Sequence, residues 1–235
     1  MTSWRLSVES GPQHRKTMVH VLDLLGCVVR GGTTEEALAN ASDGIADYLA
    51  FLRRHRERGL PSTKDPIETE VLIHLDEGTR MGEGDPDAGF AFDFTPCTEE
   101  QQWAWMRRLD WMQRDFLDLL ASAPGAFEAE PEAGWPLRRI LGHVAGAQYN
   151  YLQPPLSKPA GLAALTRAVD EGPDPLGAFA ECARLSLDRL AAITEDERTA
   201  VVQHGAKLWT VKRGIRRMLE HQWEHLIEVR ERLGA

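Results

Sequence analysis

The sequence predicts an α+β protein in two parts, a β-β-β-α-β part followed by an all-α part of four helices. Three observations predict it. Apolar residues cluster or alternate at strand length near the start and again after Pro66, they recur at helical spacing from Thr98 onward, and an acidic stretch rich in Gly and Pro lies between. The expected domains are therefore 1–77 and 99–235, joined by a linker at 78–98, and 235 residues suffice for two such cores.

Trp4–Glu9 and Thr17–Leu22 read as two strands of a hairpin, separated by the turn signal Gly11-Pro12. Cys27-Val28-Val29 offers a third short strand closed by Gly31-Gly32. From Thr33 the period changes: Thr33 can cap a helix with Glu36 returning the bond, and Leu38, Ala41, Ile45, Tyr48, Leu49 and Leu52 form one apolar stripe that runs out near Gly59. Beyond Pro61, the alternation over Ile67–Asp76 predicts the last strand. In the linker, Phe90, Phe92 and Phe94 alternate, which fits either a short strand or aromatic anchors.

Four amphipathic helices are predicted in the second part, at 99–120, 136–152, 176–191 and 210–233, with longer connections at 153–175 and 192–209. Trp103, Trp105 and Trp111 read as packing residues of the first of these helices.

Composition narrows the function. The net charge is −9, and the segment 61–100 holds eleven Asp or Glu against Lys64 and Arg80, an excess of nine that equals the whole imbalance. An acidic chain has no general attraction to phosphate backbones, so nucleic acid is not an expected partner. Two basic clusters, Arg53-Arg54-His55-Arg56 with Arg58 and Lys212-Arg213 with Arg216-Arg217, read as solvated helix faces. Cys27, Cys97 and Cys182 are odd in number and widely spaced, which suits a reducing cytoplasm, and no apolar run approaches a membrane span.

The histidines carry the chemistry. On a helical projection His225 falls inside the apolar sector of the last helix, His221 at its edge one turn earlier, and His143 at the margin of the apolar face of the second helix. Three imidazoles turned towards one interior ask for a shared explanation: a divalent metal supplies one, and hydrogen-bonded core or surface residues are the alternative. An all-imidazole site suits zinc, nickel, iron or copper, of which zinc, nickel or iron is the expected ion. His14, His20, His55, His74 and His204 lack paired spacing and read as solvated or singly hydrogen-bonded.

Two resemblances sharpen this reading. Gly26-Cys27-Val-Val-Arg-Gly31-Gly32-Thr33-Thr-Glu35-Glu36-Ala37 resembles the strand-to-helix signature of the HicB antitoxin family, over residues 3–77, and departs from it at Gly32 and Leu25. It implies a HicB-like interaction module with a protein partner. Trp135-Pro-Leu-Arg-Arg-Ile140-Leu141-Gly142-His143-Val144-Ala145, and Leu208-Trp209-Thr210-Val211 with Met218-Leu219-Glu220-His221-Gln-Trp-Glu-His225, resemble the two signature helices of the DinB superfamily. That resemblance implies a four-helix bundle, often a homodimer, with one divalent metal on His143, His221 and His225. It also implies a small-molecule substrate, with a low-molecular-weight thiol as co-substrate in related transferases, and either transferase or hydrolase chemistry. The alternative is a non-catalytic interaction protein whose bundle is a metal-stabilised scaffold.

Overall fold

A computed structural model of the chain describes residues 3–78, 81–82 and 88–235. They divide into two compact units, Met1–Phe92 and Asp93–Ala235. The part of the predicted linker at 79–80 and 83–87 lies outside the described residues.

In the first unit, β1 (Ser3–Ser10), β2 (Arg15–Val21) and β3 (Val28–Thr33) form an antiparallel meander, and β4 (Glu68–Leu75) joins the outer side of β1 in parallel, giving the order β3-β2-β1-β4. The hairpin register pairs Val8 with Val19 and Leu6 with Val21, so like apolar residues meet across the strands. The expected third strand is longer than its apolar run. Gly31 and Gly32 belong to β3 and do not close it, and a Cβ on Gly31 would lie 2.3 Å from the Ala37 nitrogen, so glycine there lets the strand pass the helix.

Two helices replace the single one expected over 33–59: α1 (Thr34–Ala39) and α2 (Ala41–Arg54). They meet at Asn40, close to Ser42, Asp43 and Gly44: the short polar side chains of Asn, Ser and Asp compete for the backbone, and Gly is itself a weak helix former. Thr33 caps α1 by accepting from the Glu36 N–H at 3.2 Å, while the Glu36 carboxylate accepts from the Gly32 N–H at 2.8 Å, one residue earlier than in a standard capping box. Ile45, Tyr48, Leu49 and Leu52 of α2 are buried, and the Tyr48 hydroxyl donates to the Leu25 carbonyl at 2.9 Å.

Met81, Ala88 and Phe90 form a further apolar cluster with Leu22, Ile73, Leu75 and Phe92. Phe90 is thus an anchor, as one of the two expectations held, while Ala91–Phe94 is a 3₁₀ turn.

The second unit contains α3 (Glu99–Ser122), α4 (Pro124–Phe127), α5 (Leu137–Leu152), α6 (Leu162–Glu171), α7 (Pro175–Ala191), α8 (Glu195–Thr199), a small hairpin of β5 (Val202–His204) and β6 (Lys207–Trp209), and α9 (Val211–Leu233). The four expected helices are α3, α5, α7 and α9, and the 153–175 connection holds the additional α6, which packs on α5 and α7. Their directions follow from local contacts. Gln102 near the start of α3 donates to the Leu190 carbonyl at the end of α7, and Arg138 at the start of α5 donates to the Gly172 carbonyl just before α7. Arg232 near the end of α9 reaches the Trp135 carbonyl before α5. Hence α5 and α7 run one way and α3 and α9 the other.

Capping fixes these helices. Thr98 and Gln101 make a capping box on α3, Asp174 caps α7, Thr210 caps α9, and Gly234 closes α9 in the left-handed conformation at φ 66°. The core gathers Leu109, Met112 and Phe116 of α3, Ile140, Leu141 and Val144 of α5, Phe179 and Leu190 of α7, and Ile215, Leu219, Leu226 and Val229 of α9. Periodicity places Leu176, Phe179, Ala180, Ala183, Leu187, Leu190 and Ala191 on the apolar face of α7, and the observed face is rotated from it: Cys182 and Ser186 are buried, whereas Ala180 and Ala191 are exposed. Trp105 is buried, but Trp103 is 42% exposed and donates to Glu99 on the same helix, so it does not pack in the core.

Candidate metal centre

His143 sits in the middle of α5, and His221 and His225 lie one turn apart on the antiparallel α9. Residues four apart share a helix face, so both α9 imidazoles are presented to α5 together. The structure brings the three sequence-predicted residues to one point. His143 Nε2 and His221 Nε2 are 2.9 Å apart, the ring centroids are separated by 4.5 to 5.1 Å, and one nitrogen from each ring lies within 4.8 Å of the others. His225 is buried at 8% exposure and His143 is exposed, so the cluster is anchored on the inside and open on the outside.

The electrostatics favour a neutral His143. Partial burial, followed by the charges of His225 and Arg139, pushes His143 below the ordinary imidazole value and keeps a lone pair available. His225 Nδ1 is 2.8 Å from the Glu228 carboxylate; donating there leaves Nε2 as the ring's free donor of electrons. The hydrogen bond to His225 is the largest influence holding Glu228 below the usual carboxylate range.

Such a donor set fits a divalent cation. Imidazole nitrogens bind zinc at about 2.0–2.1 Å, and three protein nitrogens leave coordination positions for other ligands. Aromatic rings flank the cluster: Trp135 meets His143 edge-on at 5.2 Å and Tyr151 meets His221 at 6.0 Å. Beside Trp135 opens an apolar cleft of about 310 Å³, lined by Ala126, Ala129, Pro131, Ala133, Leu137 and Arg232 among others.

Beneath the histidines lies a layer of buried charge that sequence reasoning placed on the surface. Lys212, Arg213, Arg216 and Arg217 are all buried, so the second basic cluster is not a solvated face. Arg216 bonds both oxygens of Asp93, at 2.7 and 2.8 Å, and donates to Glu220 at 2.8 Å; Arg217 reaches the same Glu220 oxygen at 3.3 Å. Burial opposes the Arg216 charge, but Asp93 and Glu220 together hold its affinity for the proton above the ordinary value. Glu220 is thereby committed to arginines. Arg217 also donates to the Tyr151 hydroxyl at 3.4 Å, which connects this layer to the ring beside His221.

Other expected bystanders proved mixed. His20 is wholly buried next to Glu9, with 3.5 Å between Nε2 and a carboxylate oxygen, and His74 Nε2 is 2.7 Å from Ser10 Oγ. Neither joins a third metal-ligating group among the described residues. Glu228 and Asp93 are the functional-site partners the sequence reading missed; the i,i+3 spacing of His225 and Glu228 was the available signal for the first.

A family model of the DinB superfamily matches residues 108–229. The chain belongs to the DinB superfamily. The match spans just over half of the sequence, from within α3 to within α9, and includes all three histidines. No curated protein and no solved structure matches the chain significantly. In this DinB superfamily chain the two signature helices seen in the sequence are the pair, α5 and α9, that carries the cluster. No helix among the described residues is long and apolar enough to cross a membrane.

Proposed function

We propose that the protein is a metal-dependent enzyme that acts on a small molecule through a divalent ion held by His143, His221 and His225. The observation that carries this reading is the approach of three imidazoles from two antiparallel helices, with an exposed side at His143. A bound divalent ion of this kind polarises a substrate oxygen or acidifies a water or thiol, which suits hydrolysis or thiol-dependent S-transfer. The protein's own residues do the rest. The three rings bind the ion, Glu228 fixes one of them, and Trp135 and the apolar cleft beside it offer a surface to an apolar part of the substrate. A low-molecular-weight thiol is the proposed co-substrate, zinc, nickel or iron the proposed metal, and a homodimer in the cytoplasm the proposed state.

The deciding experiment is elemental analysis of protein purified without chelator or nickel resin, for the wild type and a His143→Ala, His221→Ala double variant. Near-stoichiometric metal that disappears in the variant supports the reading and opens a screen of thiol-transfer and hydrolysis substrates. Wild-type protein that fails to take up zinc, nickel or iron overturns it.

A second reading has its own observation. Val71 and Leu72 on the edge strand β4 are 46% and 57% exposed, which suits a HicB-like interaction module whose sheet edge meets a protein partner. On that reading metal raises stability without turnover.

A further inference from the structure

We propose that Glu228, held by Arg232, is the positioning residue of the metal centre. It sets which nitrogen His225 offers, and through Trp135 it steadies His143. The proposal rests on the three-histidine reading above and adds to it the residues that orient the ligands.

The geometry closes a loop between α9 and the chain entering α5. Glu228 Oε2 lies 2.8 Å from His225 Nδ1, and the other carboxylate oxygen accepts from Arg232 Nη2. Arg232 Nη1 donates to the Trp135 carbonyl at 2.6 Å. The Trp135 ring returns to the cluster edge-on to His143 at 5.2 Å, and Arg139 stacks over its face at 4.3 Å. Gly134 makes room for this arrangement: it has φ +82°, and a Cβ there would lie 2.9 Å from Arg232 Nη2. One ion-paired carboxylate therefore touches one ligand directly and is linked to a second through a backbone carbonyl and an indole.

The chemical consequence follows from imidazole tautomerism. A neutral ring carries one N–H, and a carboxylate at Nδ1 places that N–H there, so the lone pair stays on Nε2, the nitrogen that Glu228 does not engage. Without the carboxylate, His225 samples both tautomers and rotates more freely, and part of its population offers no lone pair at the centre. Groups in this role change metal affinity by about 10–100-fold.

Two readouts test it. In metal-free protein, long-range nitrogen–proton correlation spectra report the His225 tautomer: the Nδ1–H form is expected for wild type and Glu228→Gln, whose amide oxygen still accepts, and a mixture for Glu228→Ala. Competition titration with zinc then gives affinity, with Glu228→Ala weaker by about 10–100-fold and Glu228→Gln falling between it and wild type. Circular dichroism of each variant monitors the fold, and Glu228→Gln keeps the test valid should the alanine variant misfold. Unchanged zinc affinity in both variants, in protein whose binding is abolished by His221→Ala, overturns the role of Glu228 and leaves the metal reading standing. Wild type that binds none of zinc, nickel and iron overturns both.

Discussion

Arg216 and Arg217 have no exposed surface to speak of, at 0% and 1%, and each depends on Glu220. Removing one partner of a buried ion group leaves charge without compensation, which costs more than the intact group contributes. Glu220→Ala is therefore expected to destabilise the second unit by roughly 3–5 kcal/mol in denaturant unfolding, and an effect under about 1 kcal/mol would contradict the network. The cysteines behave in the opposite way. All three are buried, and burial pushes the Cys182 thiol up to about 11, so a disulfide reagent at pH 8 is expected to find no fast-reacting thiol in folded protein and three after denaturation. At this scale the sequence was informative where a residue's partner sits on a signature helix: His143, His221 and His225 were readable, because i,i+4 spacing and apolar faces are local properties. Asp93 was not, because it meets Arg216 over 123 residues and no local pattern encodes that pairing.

Short helices and their caps respond to acid in a direction the ion pairs define. Glu197 closes the capping box of α8 with Thr194 and pairs with Arg189 of α7; the Arg189 hydrogen bond is the largest cause holding its carboxyl below the ordinary range. A carboxyl depressed in the folded state stabilises it fully above the unfolded value, and that contribution is lost as pH falls through the folded value. Unfolding monitored from pH 6 down to pH 3 should thus show a loss of stability in wild type that is smaller in Glu197→Gln. Close packing makes a second demand on elements. A Cβ on Gly44 of α2 would lie 2.3 Å from Val29 Cγ2, so Gly44→Ala is expected to cost about 1–3 kcal/mol by forcing helix and strand apart. The strands of the first unit and the long helices α3, α5, α7 and α9 were legible from periodicity, including both helices that carry the site, whereas α6, α8 and the β5–β6 hairpin lie in stretches read as connections, so the second part is not all-α as expected. The break at Asn40, the passage of Gly31 through β3 and the rotated face of α7 were not, since each is decided by what packs against it.

Two compact units in one chain predict that metal acts on one of them. Ion at about 100 times its dissociation constant stabilises what binds it by about 2.7 kcal/mol. Hydrogen exchange with and without zinc is expected to slow amides in α5 and α9 and to leave β1 to β4 unchanged; equal protection of the sheet would contradict independent units. The acidic excess in 61–100 straddles the boundary at Phe92 and Asp93.

The Arg232 contact with the Trp135 carbonyl also governs how the protein should be handled. A chain cut after Ile227 would keep every imidazole of the cluster yet lose both Glu228 and Arg232, and it would pass any inventory of ligands while holding them loosely.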